Sequence, residues 1–529
     1  MTVTPDVPGA LLALQNVLGP DGFERGGEAS RLAGQDVFTI GAPVAAVVRP
    51  VDTAQIVAIV AIARRHGIGL VPRGAAMSYT RSVVAEASEQ TVAVDMRAMA
   101  LIREINVRDM YVVVEPGCSW SALADALAAK GLEVPYRGPV SGRLATIGGG
   151  VSHNAVFYGS GLFGTAADSV VGLEVVTGEG KVVRTGSWAV GTAPPFLRHF
   201  GPDMTGLFTG DCGAMGIKTA IVLRLRRSPA LRDCASWQTD KLDRVFAFLE
   251  KASQIGIASQ IIGMDVRLQA ERIAQTGWRE RFRHVAALFT GKGSLRRRLS
   301  QGATMARAGV ATGAGARGYA LHAFLEGEGE AECQAARRRI AALAEACGLA
   351  PAHSAVPQAM LREPFGPVTG LAGGKGERWV PVHFIVPHSR ALDAMDRIRS
   401  VLSAHSGAMQ RSGIKARILL ANLGAGAVTI EPMFLWPDRL TDHARTTLID
   451  QGGRADADAP RQAEAETVVT MLREALVEAL DEIGSLHTQI GRHYPYLGRL
   501  GEGAHDLVVG MKRMLDPDTV MNPGVLGLP

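Results

Sequence analysis

The run Ala145-Thr146-Ile147-Gly148-Gly149-Gly150-Val151-Ser152-His153-Asn154 continues to Tyr158-Gly159-Ser160-Gly161-Leu162-Phe163-Gly164 in a chain of 529 residues. Its glycines permit the backbone to approach a flat ring or a phosphate where a Cβ would clash. Before it stands Val71-Pro72-Arg73-Gly74-Ala75-Ala76-Met77-Ser78-Tyr79, directly after a strand signal. Small residues there let successive amides converge on a pyrophosphate. After it stands Asp203-Met204-Thr205-Gly206-Leu207-Phe208-Thr209-Gly210-Asp211-Cys212-Gly213-Ala214-Met215-Gly216-Ile217. None of these is a G-x-G-x-x-G placed to open a helix directly after the first strand, and G-x-x-x-x-G-K-[ST] is absent. Each alone would pass for structural punctuation. Their order carries the information.

Around them the first 225 residues alternate strand and helix signals. Val44–Val48 is a short apolar run, and Thr53–Arg65 carries Ile56, Ile59, Val60 and Ala63 at helical spacing. Gly67 stops that helix, and Ile68–Val71 reads as a second strand. Thr91–Asp95 and Tyr111–Glu115 are β-branched runs, and Ser119 can cap a helix through Leu127. Val170–Thr177 and Lys181–Arg184 read as a hairpin, with Thr219–Arg226 as the closing strand. From Ser228 the texture changes. Helical stretches at Leu242–Ala252, Glu330–Ala346, Leu392–Ala404 and Ala463–Glu482 alternate with strands at Tyr319–Leu325, Trp379–Val386 and Val428–Pro432. This predicts a second α+β unit around its own sheet.

A net charge of +5 with 5% aromatic residues is not the dense, aromatic-studded basic face of a nucleic-acid protein. Cys118, Cys212, Cys234, Cys333 and Cys347 form no C-x-x-C. That argues against a disulfide framework or zinc ribbon and for a reducing compartment. Met1–Pro20 reads as a short amphipathic helix rather than a leader, and no run of apolar residues is long enough to span a bilayer. The expected location is the cytoplasm. Residues 279–317 hold a basic run from Arg279 to Arg317 with Glu280 as its sole acid. It reads as a solvated insertion, or as a surface for an anionic membrane face or a redox partner.

Taken in order, the motifs resemble the FAD-binding domain of the vanillyl-alcohol oxidase / p-cresol methylhydroxylase superfamily. The resemblance rests on Arg73–Ser78, Pro116–Trp120, Ala145–Asn154, the Leu173–Gly186 hairpin and Pro202–Ile217. It implies an α+β fold: a two-lobed PCMH-type FAD-binding domain plus an α+β substrate (cap) domain with its own antiparallel sheet. The expected boundaries are a helical segment at 1–36, the FAD domain at 37–228, the cap at 229–482 with the 279–317 insertion, and a returning segment at 483–529. The FAD contacts it implies are Arg73, Gly74, Ala75, Ala76, Met77, Ser78, Pro116, Gly117, Thr146, Ile147, Gly148, Gly149, Ser152, Asn154, Gly216 and Ile217. The first loop carries Ala and Met where a flavin-linking His would stand, so noncovalent FAD is expected.

Leu515-Asp516-Pro517 through Asn522-Pro523-Gly524 resembles the ending of the FAD-linked D-lactate / glycolate dehydrogenase branch. His487-Thr488-Gln489-Ile490-Gly491 stands where that branch has E-H-G-I-G, and H-x-G-D-G-N-x-H is absent. No metal is therefore expected. Oxidation of a hydroxyl-bearing carbon by hydride transfer to flavin N5 needs a base and a group to orient the substrate. His487 is the candidate base, and Arg492 the candidate clamp for an anion. Tyr494 and Tyr496 are candidate pocket walls. His383 and Glu431 are further candidates on cap strands, and His153 either approaches the ring or lines its turn. The alternative to this set is that it knits the C-terminal segment onto the flavin domain.

The expected substrate is a small molecule, a D-2-hydroxy acid of the lactate or glycolate kind. A para-hydroxybenzylic alcohol or phenol is the alternative, and a flavin-bearing electron-relay or binding protein is the alternative of another class. The electron acceptor is open between oxygen and, should the basic run dock on a membrane, a quinone or a cytochrome; nucleic acid is not an expected partner, and a homo-oligomer is expected.

Overall fold

The computed structural model describes residues 4–275, 318–366, 377–450 and 461–529. The basic insertion expected at 279–317 lies outside them.

Two small sheets carry the N-terminal half. The first has the order Phe23–Glu24, Ala46–Val48, Thr91–Asp95, Gly69–Arg73. Its last three strands run parallel, with the helix Thr53–His66 as the crossover between two of them. Asp52 caps that helix through the Gln55 amide, and Gly67 ends it at φ +63°, the left-handed turn that glycine adopts without a steric cost. The second sheet is antiparallel, ordered Ile102–Asn106, Tyr111–Val114, Ile217–Arg224, Val170–Val176, Val182–Arg184. Ser119 caps Trp120–Ala128 as its spacing implies. Helix Val7–Gly22 packs on the first sheet and breaks its helical backbone at Gly19, one residue before Pro20.

The cap is built on an eight-stranded sheet. Its order is Ala350–Pro351, Leu231–Thr239, Tyr319–Gly327, Ala258–Asp265, Lys415–Leu423, Ala427–Trp436, with Arg378–Pro381 and Phe384–Pro387 both paired to the last of these. The predicted single strand Trp379–Val386 is thus divided. Pro381 faces Met433 and Phe384 faces Ile430, so the register is continuous across the break. The break has a chemical cause: Pro432 has no N–H to give the ladder, and the His383 N–H turns aside to the Tyr494 hydroxyl, 2.7 Å away.

The two faces of this sheet have different jobs. Ile261, Val380, Val382, Phe384, Leu420, Val428 and Ile430 point into the main core against helices Leu242–Ile255, Ala391–Ala404 and Ala463–Asp481. The residues between them, at period two, point toward the flavin-domain loops. Among the described residues, no helix is long and apolar enough to cross a membrane.

Candidate active site between the glycine-rich loops and the cap sheet

The first loop leaves strand Gly69–Arg73 and turns at Ala76, whose φ is +51°. Among the described residues, no protein acceptor is found for the amides of Ala75, Ala76, Met77 and Ser78. Such a row of unspent amides is an anion nest. Behind it, the Arg73 guanidinium is buried, with a pKa pushed down to about 10 by desolvation and supported by Asp95. His443 Nε2 stands 3.1 Å from the Ala75 carbonyl.

The second loop is a short helix, Ile147–Ser152, capped by the Thr146 hydroxyl on the Gly149 amide. Its glycines differ in purpose. A Cβ on Gly148 would stand 2.6 Å from Pro116, and one on Gly150 would stand 2.8 Å from Trp120. Both permit close packing. A Cβ on Gly149 would meet just the Thr146 hydroxyl, at 3.2 Å, and would project into the cavity.

That cavity, of about 730 Å³, runs from the first loop past the second to the cap sheet. On the flavin side its walls are Pro72 to Tyr79, Pro116, Thr146, Gly148, Gly149, Ser152, His153, Cys212, Gly216, Ile217 and Lys218. The amide nest and the open Gly149 fit FAD, whose pyrophosphate Ala75–Ser78 would hold and whose ring system would lie beside Gly149. Burial pushes His153 down to about 4 and the Cys212 thiol up to about 12. Both are neutral near pH 7.

The cap side presents alternating residues of neighbouring strands: Gln260, Ile262 and Met264; Leu419, Ala421 and Leu423; Thr429, Glu431 and Met433; Trp379, Pro381 and His383. In register, His383 lies directly opposite Glu431, where cross-strand side chains meet. His383 Nδ1 stands 2.9 Å from Glu431 Oε2. The contact has an ion-pair distance without hydrogen-bond geometry, and Nδ1 has no hydrogen-bond partner among the described residues. A carboxylate beside Nδ1 favours the proton on that nitrogen and leaves Nε2 as the lone-pair acceptor.

The other expected catalytic residues are elsewhere. Arg492 is not a clamp at the cavity. Its guanidinium donates to the carbonyls of Arg81, Ser82 and Pro523 and to Asn522 Oδ1, at 2.6 to 3.2 Å. It ties the C-terminal segment to the flavin domain. His487 is not the base facing the cavity either. Its Nδ1 donates to the His383 carbonyl at 2.8 Å, and burial holds its pKa below the usual histidine value. Tyr494 is buried in the cap core, and Tyr496 packs on the flavin-domain core; neither lines the cavity. Of the expected FAD contacts, Gly117, Ile147 and Asn154 are also set back. A Cβ on Gly117 would strike the Met96 carbonyl at 2.3 Å, Ile147 is core, and Asn154 Oδ1 accepts from the Ala167 amide. The sequence reading missed Gln489, which lines the cavity at φ +55°. It occupies the glycine position of E-H-G-I-G, and that substitution was its signal.

Fold and site together define a flavoprotein: the chain carries a PCMH-type FAD-binding domain. Residues 44–186 match the family model described as "FAD binding domain". A D-lactate dehydrogenase [cytochrome], mitochondrial, from Arabidopsis thaliana is 30% identical over 42% of this chain and 36% of that protein. The glycolate oxidase subunit GlcD of Bacillus subtilis is 29% identical over 43% of this chain and 46% of that protein. The chain thus spans less than half the length of these curated relatives. A solved p-cresol methylhydroxylase with substrate bound superposes with a TM-score of 0.74 at 16% identity, covering 99% of this chain and 98% of that one. This last likeness is one of fold.

Proposed function

We propose that this protein is an FAD-dependent oxidoreductase that oxidises a hydroxyl-bearing carbon of a small molecule and passes the electrons to a separate acceptor. The observation that carries the reading is the His383–Glu431 pair, 2.9 Å apart, on the cavity wall across from the flavin loops. Bound there, FAD supplies the oxidant that accepts hydride from the carbinol carbon. His383 takes the hydroxyl proton on Nε2 as the C–H bond breaks. Glu431 holds the ring in the tautomer that leaves Nε2 free and stabilises the imidazolium that forms. The cap strands exclude water around the reacting carbon.

Relatives named for D-lactate and glycolate support the reaction class. The expectation of a D-2-hydroxy acid rests on the Asn522-Pro523-Gly524 ending and the His487–Gly491 stretch; the Arg492 guanidinium, the candidate anion clamp, is spent on the C-terminal seam. The test is anaerobic mixing of the FAD-loaded protein with panels of hydroxylated compounds while the flavin band is followed. His383→Ala should slow bleaching by about 10²–10⁴-fold, the usual range for a general base. Bleaching at an unchanged rate in that variant would remove His383 from the reaction.

A further inference from the structure

The cap half of the cavity has a chemical character of its own. Ile262, Met264, Met360, Trp379, Leu419 and Met433 line it and belong to a single apolar cluster. Methionine at this density makes an adaptable apolar wall. Of the polar groups among them, the Trp379 indole N–H has no partner among the described residues, while the Gln260 and Asn422 amides are occupied by each other. Gln260 Nε2 donates to the side-chain and backbone oxygens of Asn422, and Asn422 Oδ1 also accepts the Ile261 amide. Glu363 lies near Arg143 at the half-exposed rim.

Among the described residues, the lysine and arginine side chains that line the cavity are Arg73 and Lys218. Both belong to the flavin half. Lys218 Nζ is 2.6 Å from Asp211 Oδ1 with both side chains almost fully buried. Arg73 faces Asp95 and donates to the Leu32 carbonyl. The charge nearest a substrate beside His383 is the Glu431 carboxylate. Among the described residues, a substrate carboxylate or phenolate there would be desolvated with no lysine or arginine to pair with and with an anion beside it, which is costly in a low-dielectric site. A neutral hydroxyl needs the His383 acceptor alone.

Resting on the reading of the site as a hydroxyl-oxidising one, we infer that its substrate is an uncharged, mostly apolar alcohol and that hydroxy acids are excluded. The oxidation balances as for any alcohol: hydride leaves the carbinol carbon for FAD, the hydroxyl proton leaves for His383, and a neutral carbonyl compound is released.

A matched pair isolates the charge. The FAD-loaded protein is mixed anaerobically with racemic 2-octanol or racemic 2-hydroxyoctanoate, and flavin bleaching is followed. The expected result is saturable bleaching by 2-octanol with a kcat/KM at least a hundredfold above that for 2-hydroxyoctanoate. Across a 2-alkanol series, affinity should rise by about fourfold per methylene until the cavity is filled, which is the burial free energy of one methylene expressed as a ratio. Equal or faster bleaching by 2-hydroxyoctanoate overturns the inference.

A second arm needs no turnover. 1-Octanol and octanoate are titrated into the oxidised holoprotein and read from the shift of the flavin spectrum. Tighter binding of 1-octanol by tenfold or more supports a neutral substrate even where no alcohol bleaches the flavin, and in that case it is the hydroxyl-oxidising reading that fails. Octanoate binding as tightly as 1-octanol overturns the inference whichever way the first arm reads.

Discussion

His487 lies flat on Tyr494, ring centroids 4.2 Å apart and planes 8° from parallel, and the two side chains grip one peptide segment from both ends. His487 donates to the carbonyl of His383, and Tyr494 accepts the His383 N–H. They are positioning residues for the His383 imidazole.

Tyr494→Phe should therefore leave the His383 amide without its acceptor. An unmet buried donor costs about 1–3 kcal/mol. Chemical denaturation should report that loss. Stopped-flow reduction should fall about tenfold with ligand affinity unchanged, because the loss falls on base geometry. A stability change with an unchanged reduction rate would mean the ring is held without Tyr494.

Gly149→Ala should fold as wild type and bind FAD at least tenfold more weakly, about 1.4 kcal/mol. Its new methyl meets little in the protein and projects into the cavity. Titration of apoprotein by flavin fluorescence quenching measures this. A change below twofold would place the ring system elsewhere.

Arg492→Met should act on stability and leave substrate discrimination alone. It strips the charged donor from a set of carbonyl and amide oxygens at the C-terminal seam. The expected cost is about 1.5–3 kcal/mol, the range for losing hydrogen bonds made by a charged group. At a temperature where the variant is folded, KM should stay within about threefold of wild type. A selective loss of anionic ligands would restore Arg492 to the site.

Lys512 and Asp516 are a second seam. Lys512 Nζ lies 2.5 Å from Asp516 Oδ2 and also donates to the Ala214 and Met521 carbonyls. Lys512→Met should cost about 3–5 kcal/mol, since it leaves a buried carboxylate unpaired. A double-mutant cycle with Asp516→Asn should return a coupling of about 0.5–3 kcal/mol. Additive single effects would show that the pair is not coupled.

Acid should weaken the fold before the carboxylates titrate. Burial pushes His153 and His443 each down to about 4, against about 6.5 in an unfolded chain. Between about pH 6.5 and pH 4 the unfolded chain takes up protons that the folded chain refuses. Stability thus falls with pH by up to about 1.4 kcal/mol per unit for each histidine, and neither contributes to the slope above about pH 6.5. Urea unfolding across that window, with His443→Gln as the comparison, should show the shallower slope in the variant. Parallel slopes would show that His443 titrates normally in the fold.

Much of the flavin half was legible because its conformation is local. Asp52 and Ser119 cap helices through amides three residues on, Gly67 closes one at positive φ, and Thr146 caps the short helix of the second loop. The cap was legible as elements and not as a site. Tyr319–Gly327 and part of Ala427–Trp436 were named, while Leu231–Thr239, Ala258–Asp265 and Lys415–Leu423 were not, and the division of Trp379–Val386 depends on Tyr494, which is distant in sequence and takes the His383 amide. Which of His487 and His383 faces the cavity was likewise invisible, because that is set by packing between segments distant in sequence.

By itself the sequence determined that the chain makes amide nests and close glycine contacts in an order suited to FAD. Backbone sterics, caps and the lack of a Cβ act over a few residues, so they can be read there. The tertiary structure alone decided which charged and polar groups meet. His383 finds Glu431 through the register of two antiparallel strands, and Arg492 is spent on oxygens of two separate segments, Arg81–Ser82 and Asn522–Pro523. Register and seam geometry are set by packing across the whole chain, and a one-residue slip of the cap strands would send His383 or Glu431 to the opposite face.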